Sequence, residues 1–387
     1  MKTPVAIIGA GPAGLLLAHL LQRAGIESVV LESRGRDYVE RRVRAGVLEH
    51  GGAQLLREAG VGDRLDREGL EHRGIYLRFN GETHHIDFKR LANRGIFVYG
   101  QQEVVKDLIA ARLASGGAIL FEAEARRIDD RDAHHMSVLF TQGGDEQRLE
   151  CDFIAACDGS HGIGRATMLS RNATGYEHIY PYAWLGILAR TPPAADELVY
   201  AYHERGFALH SMRSPQVSRL YLQVRRDETL DGWPEERIWS ELRLRLHEPS
   251  LDAGEILEIG VTPMSSYVME PMQDGRLFLA GDSAHIVPPT GAKGMNLALA
   301  DAATLAAGLI EWYGKHSSER LDRYTASCLQ RVWRAEFFSA FMTQLLHRDE
   351  LDGEFEHRLR LAQLKYVTSS RAASTSLAEN YTGAATS

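Results

Sequence analysis

The stretch VAIIGAGPAGLLLAHLLQRAGIESVVLE, residues 5–32, decides the fold of the first part of the chain. An apolar run leads into three glycines spaced G-x-G-x-x-G, namely Gly9, Gly11 and Gly14, and a helical segment follows. This order is typical of a βαβ nucleotide-binding unit. The first glycine allows a tight turn, the second lets backbone approach a pyrophosphate, and the third lets the helix pack on the strand. The glycines also argue against a secretory signal, whose apolar core is unbroken.

Glu32 strengthens this interpretation because it ends the second apolar run, SVVLE, 18 residues past Gly14. A carboxylate at that position accepts hydrogen bonds from an adenosine ribose. The pyrophosphate would lie at the start of the helix, where unpaired N–H groups and the helix dipole favour negative charge. The motif alone leaves FAD and NAD(P) both open.

Composition narrows the class of protein. The chain has 387 residues, 44% of them hydrophobic and 25% charged, which is ordinary for a globular protein of two or three domains. Its formal net charge of −8 argues against a nucleic-acid-binding surface. Cys151, Cys157 and Cys328 are too few and too scattered for a disulfide framework or a zinc site, which fits a reducing cytoplasm. No apolar run is long enough for a membrane span, so we expect a cytoplasmic protein. We expect no metal site, because the three cysteines are few and scattered.

The hydrophobic pattern predicts an α/β fold, with a Rossmann-like nucleotide-binding domain, an inserted β-rich domain and a C-terminal helical segment. Residues 1–175 form the first part and include ILFEAEARRI, predicted as one strand. Residues 176–265 contain β-branched and aromatic runs such as YAWLGILAR and RLYLQV, which indicate an antiparallel sheet that binds substrate. Residues 266–387 return to the nucleotide site at GRLFLAGDSAH and continue into long helices.

Two further motifs turn the fingerprint into a family resemblance. CDGSHGIGR, residues 157–165, follows the strand-like DFIAA, and GRLFLAGDSAHIVPPTGAKGMN, residues 275–296, runs from a strand through a Pro/Gly-rich loop. In this order, the three motifs resemble the signatures of the single-component FAD-dependent aromatic hydroxylases. The resemblance implies that the bound cofactor is FAD. The strand-end Asp282 is placed to accept from a ribityl hydroxyl, and the turn and helix start offer N–H groups to the flavin ring.

Longer matching stretches cover nearly the whole chain: VRAGVLEHG, ELVYAYHERGFALHSMRS, HIVPPTGAKGMNLA and LAENYTG. They imply hydroxylation of 4-hydroxybenzoate at C3 to 3,4-dihydroxybenzoate, with NADPH or NADH and O₂, through a flavin C4a-hydroperoxide. Three alternatives stay open. One is a hydroxylase of another small aromatic acid, such as 3-hydroxybenzoate or 4-aminobenzoate. The others are a non-oxygenating FAD oxidoreductase and a flavoprotein that binds aromatic acids only as a sensor.

The resemblance also assigns the substrate site. Arg213 matches the clamp of the substrate carboxylate, because a guanidinium gives two parallel charge-assisted bonds to a planar anion. Ser211, expected on the same strand face, and Tyr221 match further substrate-binding positions. Tyr200 matches the residue that hydrogen-bonds the substrate phenol, and Tyr381 matches its partner.

His72 matches the far end of a proton relay that starts at the two tyrosines, and Pro289 matches a backbone carbonyl near the phenol. Such a relay makes chemical sense because a phenolate is a far better nucleophile than a phenol, while water near the flavin must be excluded.

The cofactor residues assigned by the resemblance extend beyond the three glycines. Arg44 would neutralise pyrophosphate charge, Lys293 would raise the potential near the flavin, and Arg219 would lie near the moving flavin. The complete predicted cofactor set is Gly9, Gly11, Gly14, Glu32, Arg42, Arg44, Gln101, His161, Arg219, Asp282, Lys293 and Asn296.

The sequence departs from the family pattern on the surface that binds the nicotinamide cofactor. Ser160, before His161, stands where relatives often have an aromatic residue, and Ser265 stands where many have Arg. Ser33 stands where some relatives that prefer NADPH carry a basic residue. The departures at Ser33 and Ser265 predict that the enzyme discriminates weakly between NADH and NADPH. Ala13 replaces a Ser of some relatives in the FAD phosphate region, where it costs at most one hydrogen bond. A homodimer is implied by the resemblance alone.

Overall fold

The computed structural model describes residues 1–42, 46–132 and 135–383, and within these residues it contains nineteen strands and thirteen α-helices. The strands are β1 (Lys2–Ile8), β2 (Ser28–Leu31), β3 (Val47–Leu48), β4 (Leu70–His72), β5 (Gly74–Phe79), β6 (Glu82–Asp87), β7 (Ile96–Val98), β8 (Ala118–Leu120), β9 (Ala123–Asp132), β10 (His135–Gln142), β11 (Asp145–Ala156), β12 (Thr174–Arg190), β13 (Leu198–Ala201), β14 (Ala208–Ser214), β15 (Val217–Arg225), β16 (Glu255–Glu270), β17 (Gln273–Asp274), β18 (Leu277–Leu279) and β19 (His285–Ile286). The α-helices are α1 (Pro12–Arg23), α2 (Arg36–Arg41), α3 (His50–Glu58), α4 (Asp63–Glu68), α5 (Phe88–Ala92), α6 (Gln101–Ala114), α7 (Ile163–Ser170), α8 (Glu235–Arg245), α9 (Gly294–Lys315), α10 (Glu319–Asp322), α11 (Tyr324–Leu346), α12 (Glu354–Ser369) and α13 (Arg371–Thr382).

The first sheet is built on parallel strands in the order β8, β2, β1, β11 and β18, with β10 and β9 added by antiparallel pairing along β11. Its central strands are continuous apolar runs because both faces are covered, and Val5 to Ile8 are at most 4% exposed. The carboxyl ends of β1, β2 and β11 therefore meet at one edge, where open α/β sheets bind their ligands.

The second sheet has the strand order β19, β16, β12, β15, β14, β13, β5 and β6, and is antiparallel apart from the β13–β5 pair. One face packs with helix α8 in a core that includes Trp233 and Leu242. The other face packs with the C-terminal helices in a core that includes Phe207, Phe338 and Tyr381. The predicted fold class is confirmed: a Rossmann-like domain, a β-rich insertion and a helical C-terminal segment.

The predicted boundaries at 175 and 265 fall inside strands, because β12 begins at Thr174 and β16 continues to Glu270. The β5–β6 hairpin, in the predicted first part, belongs to the second sheet. The division into 1–175, 176–265 and 266–387 stays a proposal. The strand pairings would move its boundaries to the ends of the two sheets. The single strand predicted for ILFEAEARRI is wrong, since the chain breaks between β8 and β9, where Glu122 has a φ of 55°.

Across the described ranges, none of the helices combines the length and hydrophobicity needed to cross a membrane. The same ranges contain no group of three or more His, Cys, Asp and Glu side chains placed to hold a metal ion.

Candidate active site

The turn between β1 and α1 is shaped by close backbone contacts at two of its glycines. Gly9 has a φ of +101°, and a Cβ there would lie 2.4 Å from the Cys157 carbonyl oxygen. A Cβ on Gly14 would lie 2.1 Å from the carbonyl oxygen of Gly9, so the helix could not approach the turn with a larger residue. A Cβ on Gly11, by contrast, would meet no atom within 4 Å. Gly11 therefore presents open backbone to a ligand at the start of α1.

Glu32 ends β2 and fastens this turn. One oxygen of its carboxylate accepts from the backbone N–H of Ala10 at 2.8 Å, and the other accepts from the N–H of Arg34 at 2.8 Å. A cleft of about 530 Å³ opens beside it. The predicted cofactor residues that line this cleft are Gly9, Gly11, Glu32, Arg42, Gln101, His161 and Asp282.

The donors and acceptors of the cleft fit FAD. Open backbone at Gly11 and the N-terminus of α1 suit a pyrophosphate, and the carboxylate of Glu32 suits the adenosine ribose. Asp282 is exposed at the far end of β18, where a ribityl hydroxyl could reach it. Arg44, assigned to the same pyrophosphate, lies outside the described residues.

The two later motifs are joined by an arginine that sequence reasoning did not single out. Arg165 donates to the carbonyl oxygen of Asp282 at 2.6 Å and to that of Ser283 at 3.1 Å. In the motif of residues 157–165, Asp158 accepts from the N–H of Gly164 at 2.9 Å, and burial raises the pKa of this carboxyl. Arg165, on α7, therefore joins the segment that follows β11 to the turn that follows β18.

Asp301, on α9, holds the motif of residues 275–296 in position, and sequence reasoning did not single it out either. Its carboxylate accepts from the N–H of Gly281 at 3.1 Å and contacts Nε2 of His285 at 2.6 Å. Burial lowers the pKa of His285, but the charge of Asp301, its hydrogen bond to the ring and the charges of Asp282 and Glu336 together outweigh burial, so the pKa is raised.

Lys293 and Asn296 lie outside the lining of the cleft and form hydrogen bonds with other protein groups. Asn296 accepts from the N–H of Glu49 at 2.9 Å and donates to the carbonyl oxygen of Val47 at 3.0 Å. The Lys293 ammonium is 2.5 Å from the Glu49 carboxylate and donates to the carbonyl oxygen of Tyr381 at 3.1 Å. Burial lowers the pKa of Lys293. Sequence reasoning missed Glu49, although it lies within the matching stretch VRAGVLEHG.

The structure brings Tyr200 of β13 and Tyr381 of α13 into contact from segments far apart in sequence. Their hydroxyl oxygens are 2.6 Å apart, and each residue is 1% exposed. Burial raises the pKa of both phenols. Aromatic rings surround the pair, with Phe88 and Phe338 packing on Tyr381 and Phe207 on Tyr200. The pair is thus a short polar link inside an apolar core.

Strand register places Tyr221 on the same sheet face as Tyr200. Tyr200 pairs with Leu209, and Leu209 pairs with Tyr221, so the three form one row across β13, β14 and β15. Ser211, 3% exposed, follows Leu209 by two residues and faces the same way. The pairing of β14 shifts between Met212 and Ser214, so Arg213 lies at an irregularity and not in the regular alternation expected from the sequence.

The head group of Arg213 is the most informative feature of this face. Its Nε and Nη1 atoms are buried and have no hydrogen-bond partner among the described residues. Burial lowers the pKa of the guanidinium, against the influence of the nearby Tyr221 phenol. Arg219, beside it, is satisfied instead, because it donates to the Tyr221 hydroxyl at 3.3 Å and pairs with Glu258 at 3.2 Å. Two buried guanidinium nitrogens without a partner in the described part of the chain would be satisfied by an anionic ligand.

His72 and Pro289 complete the predicted set. His72 ends β4, is 1% exposed, and neither ring nitrogen has a hydrogen-bond partner in the described part of the chain. Burial lowers its pKa, opposed by Glu197 and Asp196. Pro289 is exposed at the start of a short 3₁₀ turn, and its carbonyl oxygen accepts from the N–H of Ala292 at 3.0 Å.

Comparisons with known proteins agree with this geometry. The sequence pattern of the FAD binding domain family matches residues 2–339. The chain is 48% identical over 387 residues to the p-hydroxybenzoate hydroxylase of Acinetobacter baylyi, which covers 99% of this chain and 96% of that protein. It is 25% identical over 334 residues to a 3-(3-hydroxy-phenyl)propionate/3-hydroxycinnamic acid hydroxylase of Mycobacterium sp. (strain JLS), with 83% of this chain and 56% of that protein covered.

Among solved structures, the p-nitrophenol 4-monooxygenase of Pseudomonas putida superimposes with a TM-score of 0.87 at 18% identity, over 100% of both chains. At that identity the likeness concerns the fold. The family match and the long, highly identical relative together establish that the chain belongs to the FAD-dependent aromatic hydroxylases, the group of FAD binding domain enzymes that includes p-hydroxybenzoate hydroxylase.

Proposed function

We propose that this enzyme hydroxylates 4-hydroxybenzoate at C3 to give 3,4-dihydroxybenzoate, with FAD as bound cofactor and NADPH or NADH and O₂ as co-substrates. The observation that supports this most strongly is the combination of Arg213, whose buried Nε and Nη1 atoms have no partner among the described residues, with the buried phenol pair of Tyr200 and Tyr381. A ligand with a carboxylate at one end and a phenol at the other satisfies both.

Arg213 would hold the substrate carboxylate through its guanidinium, in which the buried Nε and Nη1 atoms have no partner among the described residues. Ser211 and Tyr221 would add hydroxyl contacts from the same sheet face. Neighbouring strands lie about 4.8 Å apart, so the two strand steps from Tyr221 to Tyr200 cover about 10 Å of the sheet face, which is enough for the long axis of 4-hydroxybenzoate. With its carboxylate at Arg213, the substrate would direct its phenol toward the Tyr200 hydroxyl.

Tyr200 would accept the hydrogen bond of the substrate phenol and pass a proton to Tyr381, whose hydroxyl oxygen is 2.6 Å away. The proton would then move toward His72, which is neutral in its buried position because burial lowers its pKa. The Pro289 carbonyl would add a second acceptor near the phenol. Removing the phenol proton makes the neighbouring ring carbon a better nucleophile.

Bound FAD would supply the redox chemistry, taking a hydride from the nicotinamide cofactor and activating O₂ for transfer of one oxygen atom. The chain would contribute the pyrophosphate and ribose contacts at Gly11 and Glu32, and Lys293, paired with Glu49, would place positive charge behind the flavin-side loop. The aromatic packing around Tyr200 and Tyr381 would exclude water from the reacting atoms.

The nicotinamide cofactor would bind on the surface around Arg42 and His161, which line the cleft. Two nearby arginines are already engaged within α2, since Arg36 lies 2.6 Å from Glu40 and Arg41 lies 3.6 Å from Asp37. This supports the weak preference between NADH and NADPH inferred from Ser33 and Ser265. We also propose a homodimer that works in the cytoplasm.

A substrate panel tests the proposal. The purified enzyme with FAD would be mixed with NADPH or NADH and with 4-hydroxybenzoate, 3-hydroxybenzoate, 4-aminobenzoate or benzoate. We expect O₂ uptake and cofactor oxidation to be coupled to product with 4-hydroxybenzoate only. Coupled turnover of a different acid, or binding without turnover, would overturn the assignment.

A further inference from the structure

A histidine that sequence reasoning did not single out, His347, lies at the centre of the packing behind the substrate face. It follows the end of α11 and is 1% exposed. Its ring stacks on Phe207, with 4.5 Å between ring centroids, and on Trp184, with 5.9 Å. Phe207 in turn packs on Tyr200, and Trp184 packs 4.8 Å from the ring of Tyr221. One imidazole therefore touches a neighbour of each end of the proposed substrate site.

The hydrogen bonds of the His347 ring define its protonation. The indole N–H of Trp184 donates to Nε2 of His347 at 2.6 Å. An indole nitrogen can only donate, so Nε2 is the unprotonated acceptor. The proton of the neutral ring is therefore on Nδ1, which lies 3.1 Å from the carbonyl oxygen of Thr343 and donates to it. Burial lowers the pKa of His347 to about 3, so the ring keeps this form at neutral pH.

The indole of Trp184 supports Tyr221 from the neighbouring strand. On β12, Gly186 pairs with Tyr221, and Trp184 precedes Gly186 by two residues on the same face. Position 186 leaves room for the tyrosine ring, since a Cβ there would lie 3.2 Å from it. The Tyr221 hydroxyl accepts from Arg219 at 3.3 Å, so its own proton is free for a carboxylate. Its ring is held on the other side by the indole.

The same end of α11 contacts the loop at the phenol end of the site. Oγ1 of Thr343 lies 2.9 Å from Oγ1 of Thr290, the residue after Pro289. A Cβ on Gly291 would lie 2.4 Å from Oγ of Ser339, one turn earlier on the helix, so loop and helix are in close contact. The helix turn that fixes the His347 ring is therefore itself anchored against the substrate site.

We propose that His347 is a positioning residue of the substrate pocket, which holds the indole of Trp184 against Tyr221 by accepting its N–H. The inference rests on the proposed function, in which Tyr221 contacts the substrate carboxylate. A buried indole N–H that loses its acceptor is costly, so the indole would turn toward another partner and Tyr221 would lose its support. The phenol end would be little changed, since Tyr200 and Tyr381 keep their contact.

The test is a double-mutant cycle on the FAD-loaded enzyme. His347→Phe keeps a ring for the stack with Phe207 but removes the acceptor, and Trp184→Phe removes the donor. Flavin fluorescence titration would give the dissociation constant of 4-hydroxybenzoate, and steady-state turnover would give kcat and KM. The control is His210→Phe, which replaces another histidine that is 1% exposed, on the face of β14 opposite to Ser211.

We expect each single variant to bind 4-hydroxybenzoate about 10-fold more weakly, and the double variant no more weakly than the weaker single variant, because all three lack the same hydrogen bond. KM should rise in parallel while kcat stays within about twofold of the parent, whereas a general loosening of the pocket would lower kcat as well. His210→Phe should bind as the parent does.

Parent-like affinity in either single variant, additive losses in the double variant, or a loss confined to kcat would overturn the proposal. Trp184→Phe removes the same hydrogen bond, so its affinity and KM decide the question if His347→Phe does not load FAD. A parent enzyme that neither binds nor hydroxylates 4-hydroxybenzoate would overturn the proposed function instead.

Discussion

In the FAD cleft the decisive contacts are made by backbone, whereas on the substrate face they are made by side chains from distant segments. At the cleft, Gly9 and Gly14 permit backbone approaches that a Cβ would block, and Glu32 accepts from two backbone N–H groups. On the substrate face, the buried Nε and Nη1 atoms of Arg213 have no partner within residues 1–42, 46–132 and 135–383. In the cleft, the acidic side chain of Glu32 is thus satisfied by backbone groups, while on the substrate face the charged side chain of Arg213 would be satisfied by the ligand.

The sharpest test of this contrast is Arg213→Ala. If the guanidinium waits for the substrate carboxylate, the variant should bind 4-hydroxybenzoate more weakly by about 2–5 kcal/mol, as for a truncated buried charge pair. Titration of FAD fluorescence with substrate measures this. Arg225→Ala is the control, because Arg225 lies at the exposed end of the neighbouring strand β15 and pairs with Asp227. Unchanged affinity for 4-hydroxybenzoate in a folded, FAD-loaded Arg213→Ala enzyme would show that Arg213 does not hold the substrate carboxylate.

Tyr200→Phe should separate binding from chemistry on the same face. The variant loses the hydroxyl that contacts Tyr381 at 2.6 Å, so substrate and FAD should still bind while the phenol keeps its proton. Hydroxylation should fall by about 100-fold, and reduced flavin should release hydrogen peroxide. Product yield per NAD(P)H consumed is the measurement. A normal yield would exclude Tyr200 from the relay.

Glycine substitutions should break the cleft in two distinct ways. Gly14→Ala should destabilise the apoprotein by about 1–3 kcal/mol, because its Cβ would lie 2.1 Å from a backbone oxygen. Gly11→Ala should fold as the parent does but bind FAD more weakly, since its Cβ points into open space. Chemical unfolding of the apoproteins and FAD titration distinguish the two. Equal stability of both variants would contradict the steric role of Gly14.

Cofactor preference should be modest, because it depends on exposed side chains at the rim of the cleft. A lost charge-assisted bond to an exposed phosphate costs about 1–2 kcal/mol, which is roughly one decade in selectivity. Steady-state kinetics with NADH and NADPH at low ionic strength would measure it, because salt screens this contact. A preference for NADPH above about a hundredfold in kcat/KM would show that Arg34 and Arg42 suffice.

The smallest effect is expected from pH. The pKa of His72 lies below its ordinary value of 6.5, so the ring is neutral above that pH and can accept a proton. As the pH falls through the lowered pKa, the ring becomes protonated and the relay is blocked. Substrate-stimulated flavin reduction should therefore be flat above about pH 6.5 and decline several-fold below it. His72→Asn should be slower and lose that decline, and an unaltered profile would make His72 a structural residue.

The same contrast explains what the sequence could predict. The glycine spacing and the acid at the end of β2 lie within residues 5–32, so local pattern predicted the βαβ unit and its contacts. A single acidic or basic residue does not show in the sequence which distant group it binds. This applies to Glu49, Arg165 and Asp301, whose partners lie far away in the chain. The irregularity at Arg213 and the burial of His72 depend on strand register and on tertiary packing, which no local pattern encodes.

A single-turnover reaction with isotopically labelled O₂ tests the central claim most directly. FAD-loaded enzyme would be given NAD(P)H, 4-hydroxybenzoate and ¹⁸O₂, and the product would be analysed by mass spectrometry. We predict 3,4-dihydroxybenzoate with one labelled oxygen at C3, in an amount close to the NAD(P)H oxidised. NAD(P)H oxidation without labelled product, or label at another ring position, would contradict the account.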